Sequence, residues 1–200
     1  ALKANPVHRM NATNAGFAEM TIEQNVQNLR NRISRACEKT GRSSNEVTLV
    51  AVSKTVQASA IEEAFHSGIK DFGESRIQEA KPKIEQLPKL KPDIFWHMVG
   101  HLQTNKAKTA TAIFDIIHSV DSLKLAEILN DCSQKKLPVL IQVNVSADAT
   151  KGGFMLSEVT EAVSQIGKLG NLDIQGLMTI APWADNAEEV RPVFRQLRQL

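Results

Sequence analysis

Residues 47–53 read VTLVAVS, a run with apolar side chains at both odd and even positions. A strand carries that pattern when it is covered on both faces, as in a parallel sheet packed against helices. The run ends at Lys54. Ser59 and Glu62 then spell an S-x-x-E capping box ahead of a helix whose apolar face is Ile61, Ala64 and Phe65, with Gly68 suited to its end. One strand, one loop and one helix make a βα unit.

The unit recurs downstream. Strands are expected at residues 70–73, 94–99, 115–120, 139–145 and 174–180. Between them lie helical spacings at Ile77, Ala80, Ile84 and Leu87 with a bend placed at Pro82, at residues 107–114, at Leu125, Ala126, Leu129 and Cys132, and at Val159, Ala162, Val163 and Ile166. A D-x-x-E box at Asp185 and Glu188 opens a last helix bearing Val190, Val193, Phe194 and Leu197. Upstream, Ile22, Val26, Leu29, Ile33 and Ala36 form one face of an extra helix ending near Gly41, and residues 1–20 read as a flexible leader.

Six βα units with no Gly, Pro or Ser-rich linker predict one α/β domain over residues 21–200, built on a parallel sheet. It is either a TIM-type barrel or an open sheet. As a (β/α)₈ barrel it is truncated after about six units, leaving its first and sixth strands as edges, and the chain is expected to be a fragment of a longer protein.

Composition narrows the function. With 42% hydrophobic and 23% charged side chains in 200 residues, the chain can bury a sizeable core, which excludes disorder. A net charge of +2 provides no single-signed field for nucleic acid or an acidic membrane. Lys106, Lys108 and Lys151 are scattered, without aromatic platforms. Cys37 and Cys132 lie far apart without metal-type spacing, as in a reducing compartment, and no run approaches the length of about 20 apolar residues that spans a bilayer. A cytoplasmic location is expected, with an organelle as the other compartment. The chain contains no tyrosine, so it cannot itself supply a tyrosine acid or base.

In such folds chemistry sits at the carboxyl ends of strands. Period-two alternation puts Val50, Val52 and Lys54 on one face of the first strand, and an ammonium facing a barrel interior is partly desolvated, which favours the neutral amine that attacks aldehydes. Spacing leaves two readings open: a Schiff-base lysine, or one that reaches solvent. Other strand ends offer Gly73, Glu74 and Ser75, then Gly100, then Asn144 and Ser146, then Met178 and Thr179. His97 and His101 have the i, i+4 spacing of helical zinc ligands, but Gly100 and the strand-like run argue against a helix, and no metal site is expected. The triplets at Asn11 and Asn144 match a glycosylation pattern that arises often by chance.

In order along the chain, VAVSKT, FGES, WHMVGHLQTNK, IQVNVS with TKGG, and GLMTI together resemble the pyridoxal-phosphate homeostasis protein family. The resemblance implies the barrel fold of the alanine racemase N-terminal domain. It also implies pyridoxal 5′-phosphate held as a Schiff base on Lys54, cofactor-binding positions at Val52, Ser75, Asn144 and Met178, no catalytic residue, and a role in regulating the free cofactor. The expected assembly is a monomer or weak dimer that binds neither nucleic acid nor membrane. Racemisation requires a second proton donor, in the racemase a tyrosine from another domain.

Three departures stand out. Family members usually have Asn where Ser75 stands and Pro where His101 stands. They also continue through glycine-bearing segments that supply the phosphate cradle, whereas the last glycine here is Gly176, so no phosphate nest is assigned and weak cofactor loading is expected. Two alternatives are carried forward. One is a lysine-dependent aldolase-type barrel enzyme with Glu74 as proton relay; the other is an interaction module using an open sheet edge or the leading helix.

Overall fold

The computed structural model describes residues 20–200; the expected leader thus lies outside the described residues, Met20 apart. Helix α1 (Ile22–Glu38) starts at a capping box in which the Thr21 hydroxyl accepts from Gln24 N–H and Gln24 Oε1 accepts from Thr21 N–H. Six βα units follow: β1 (Val50–Val52), α2 (Ala58–His66), β2 (Asp71–Glu74), α3 (Ile77–Gln86), β3 (Phe95–Met98), α4 (Ala107–Ile113), β4 (Ile116–Val120), α5 (Leu123–Cys132), β5 (Leu137–Gln142), α6 (Val159–Ile166), β6 (Leu172–Met178) and α7 (Ala187–Gln199).

All five strand pairings are parallel, and the strands lie side by side in chain order. Because parallel crossovers share one hand, an order without reversal sends every helix to the same side of the sheet. The sheet therefore winds one way, as a barrel wall does, and has no point at which the order turns back. This settles the barrel-or-open-sheet choice in favour of a barrel-like α/β fold of six parallel strands.

The helix-facing side carries the core. Phe72, Trp96, Met98, Ile117, Val139 and Ile141 are buried against Ile61, Ala80, Ile84, Leu125, Leu129 and Ile166 of the helices in one continuous cluster. The opposite, concave side begins with Val50 and Val52, which lie within 3.3 Å of where a Gly73 side chain would start. Register continues that face from Val52 through Gly73 and His97 to Ile116. At the far edge, β6 slips by one residue against β5 between Ile174 and Gly176. Gly176 takes up the irregularity at φ +153°, where a side chain would be strained.

Several boundaries differ from expectation. The first strand is three residues long because Val47 still caps a 3-10 turn at Ser44–Glu46 and pairing with β2 begins only at Val50. The fifth and sixth strands begin two residues before the expected positions, at Leu137 and Leu172. Helix α2 starts at Ala58 behind Gln57 without a side-chain cap, so Ser59 lies inside its first turn. Helix α7 is capped by Asn186, whose Oδ1 accepts from Glu188 N–H, rather than by Asp185. Helix α3 runs through Pro82 as one element.

Candidate functional site

Lys54 follows the last residue of a strand end that is tied down. Ser53 N–H donates to Gly73 O at 2.9 Å, continuing the sheet, while Ser53 O accepts from Val56 N–H at 3.0 Å and closes a four-residue turn. Lys54 and Thr55 are the central residues of that turn. Thr55 sits at φ +63°, a left-handed setting unfavourable for a β-branched residue. Its N–H donates to Glu79 Oε2 at 3.2 Å from the first turn of α3. The turn also corrects one expectation, since period-two alternation stops at Val52 and does not extend to Lys54. Nor is the expected desolvation present: Lys54 is exposed, because β1 is the edge strand among the described residues.

Beneath the turn lies a buried ion pair. Glu74 is fully buried, and Lys83 Nζ donates to Glu74 Oε1 at 2.7 Å and to Ser53 O at 2.7 Å. The Ser53 hydroxyl donates to the same Glu74 oxygen at 2.7 Å. Lys83 reaches down from α3, so Glu74 faces the helix layer and not the concave side. A proton relay from Glu74 to a ligand on that side, as the aldolase alternative requires, is not supplied by this geometry.

The remaining expected positions spread along the concave side and its rim. Val52 is 49% exposed, and with Val50 and Val99 its side chain closes over the buried Gly73. Ser75 follows β2 on the rim, where its carbonyl would lie 2.2 Å from a Cβ on Gly100, so the two strand ends touch backbone to backbone and only glycine fits. A cleft of about 480 Å³ opens there, lined by Ser75, Arg76, Glu79, His101 and Lys106 among others. Met178 pairs with Gln142 at the opposite edge of the sheet. Asn144 is buried and committed to its own loop: Nδ2 donates to Asp148 O at 2.9 Å and Lys151 O at 3.2 Å, and Oδ1 accepts from Asp148 N–H at 3.1 Å. Lys54, Val52 and Ser75 thus share neighbouring strand ends, whereas Met178 and Asn144 lie across the sheet from them.

Two arrangements escaped sequence reading. One is the pair of supports from Lys83 and Glu79. Their spacing from Glu74 fits a strand followed by a helix, but only the fold aims them at the turn. The other is a chain of three polar groups on the concave side: Asp71 Oδ1 lies 3.0 Å from His97 Nε2, and His97 Nδ1 lies 2.9 Å from His118 Nε2. Burial, and then the neighbouring His97, hold His118 down to a pKa of about 4. His97 belongs to a strand, and His101, beyond Gly100, meets Asp121 instead at 2.9 Å. Among the described residues no group of three or more His, Cys, Asp or Glu side chains is placed to hold a metal ion, and no helix is long and apolar enough to cross a membrane.

Comparison with known proteins adds the following. Residues 22–200 match the family model described as alanine racemase, N-terminal domain. The chain is 40% identical over 184 residues to the pyridoxal phosphate homeostasis protein of Aquifex aeolicus, covering 90% of this chain and 80% of that protein. It is likewise 40% identical over 183 residues to the protein of that name from Escherichia coli K12, covering 90% and 77%. Among solved structures, PipY of Synechococcus elongatus with PLP bound superposes with a TM-score of 0.77 at 35% identity, over 90% of this chain and 79% of that one. Alanine racemase from Corynebacterium glutamicum superposes with a TM-score of 0.62 at 17% identity, over 88% and 48%, a likeness of fold.

Proposed function

We propose, from the premise that this chain belongs to the pyridoxal phosphate homeostasis protein family built on the alanine racemase N-terminal domain, that it binds pyridoxal 5′-phosphate covalently and reversibly through Lys54 Nζ. The observation that carries this reading is the position of Lys54: an exposed primary amine at the carboxyl end of β1, on a turn with a left-handed residue, beside the exposed apolar side chain of Val52. When bound, the cofactor supplies an aldehyde, which condenses with an amine by losing water and is released by the reverse reaction.

The chain's own residues fit such a ligand. Val52 offers an exposed apolar surface for a pyridine ring, and Ser75 offers a hydroxyl on the adjoining rim. Asn144 acts through the loop it shapes, and Met178 lines the far side of the concavity. An exposed amine also suits a carrier, since water and free amines can reach the bond and exchange the cargo.

The same features favour binding without turnover. These 200 residues contain no tyrosine, and Glu74, the carboxylate that the aldolase alternative uses as proton relay, is turned into the helix layer. The role that follows is to hold and release cofactor in the cell and so set its free level. A monomer or weak dimer accords with the three-residue edge strand β1, a short template for pairing.

Absorbance titration with pyridoxal 5′-phosphate tests the reading. A visible band that develops in the wild type and is lost in Lys54→Ala is the expected result, and identical spectra would overturn it.

A further inference from the structure

We infer that Glu79 and Lys83 are positioning residues for Lys54, holding the turn of residues 53–56 in the conformation from which the amine is presented. The inference rests on the reading of Lys54 as the cofactor lysine. Two contacts converge on the two peptides flanking that residue. Lys83 Nζ donates to Ser53 O at 2.7 Å on the N-terminal side, and Glu79 Oε2 accepts from Thr55 N–H at 3.2 Å on the C-terminal side. Glu74 fixes Lys83 from below through a 2.7 Å contact, and binds the Ser53 hydroxyl with the same oxygen.

The contacts have something to oppose. Thr55 at φ +63° is a threonine where glycine or asparagine is the ordinary occupant, and a strained residue persists only where its surroundings hold it. All the supports come from β2 and the first two turns of α3, so one rigid βα unit sets the direction in which Lys54 leaves the sheet. None of these groups needs to touch the ligand. Their effect is on how often the amine stands where an aldehyde above Val52 can meet it.

The test measures the initial rate at which borohydride-trapped pyridoxyl adduct accumulates at residue 54, alongside amide hydrogen exchange at Thr55 and Val56 and the urea midpoint. Glu79 is only partly buried, its side chain 29% exposed, so Glu79→Ala should fold. Its expected signature is a trapping rate lower by roughly tenfold, with faster exchange at Thr55 and an unchanged urea midpoint. Glu79→Gln, which keeps an acceptor, should stay near wild type. Adding Thr55→Gly to Glu79→Ala relieves the strain and should recover at least about half of the lost rate. Because Lys83→Met alone strands a buried carboxylate, the pair Glu74→Gln/Lys83→Met is used for the second support, and it too should trap more slowly. Wild-type rates in both Glu79→Ala and the paired variant, with Lys54→Ala giving no adduct, would overturn the positioning role alone. An adduct that survives Lys54→Ala would overturn the Lys54 reading and the positioning role with it.

Discussion

His97 bridges Asp71 and His118 across three adjacent strands, with its two ring nitrogens 3.0 Å and 2.9 Å from them. The neutral arrangement that satisfies both contacts has His97 Nε2–H donating to Asp71 and His118 Nε2–H donating to His97 Nδ1. Burial and the neighbouring ring keep His118 uncharged down to about pH 4, whereas the unfolded chain protonates it near 6.5. The unfolded state therefore binds the extra proton first. Stability is fully present above about pH 6.5 and is lost as the pH falls toward 4, by roughly 1–2 kcal/mol once partial solvent screening is allowed for. Urea midpoints at pH 7 and pH 4.5 should differ accordingly, and His118→Gln should narrow that difference.

The Glu74–Lys83 pair makes a second prediction. Lys83 is 12% exposed in its side chain and Glu74 fully buried, so Lys83→Met strands a charge and should destabilise by about 3–5 kcal/mol. Glu74→Gln/Lys83→Met removes both charges and keeps an acceptor for the Ser53 hydroxyl. A denaturant double-mutant cycle should show the second change recovering most of the loss inflicted by the first.

Two glycines should respond differently to alanine. At Gly100 the new Cβ would stand 2.2 Å from Ser75 O, so the rim must shift, and Gly100→Ala should cost about 3 kcal/mol. At Gly41, φ is +66° with open space around it, so only the backbone preference is lost and Gly41→Ala should cost about 1 kcal/mol. Thermal unfolding of the two variants side by side checks the order.

Much of this architecture was legible in residues 20–200. The six strand and helix alternations, the helix-facing apolar positions and the sharing of a face by Val50 and Val52 all follow from local periodicity, and the VSK run drew attention to Lys54. What local patterns could not supply was register. His97 meets Asp71 and His118 only because parallel pairing brings three strands level, and Lys83 reaches Ser53 only because α3 packs back over β1 and β2. Periodicity also ran one residue too far at Lys54, because a hydrogen-bonded turn is set by the neighbours that hold it and not by hydrophobic spacing. The capping box read at Ser59 failed similarly, since that turn delivers the chain into α2 before Ser59 is reached.

The central claim is the bond between one amine and a vitamin-derived aldehyde. Intact-mass analysis after incubation with pyridoxal 5′-phosphate and borohydride reduction, followed by peptide mapping, addresses it most directly. The account predicts a single pyridoxyl phosphate addition mapped to Lys54 and absent from Lys54→Ala. An addition spread over surface lysines, unchanged in Lys54→Ala, would contradict it.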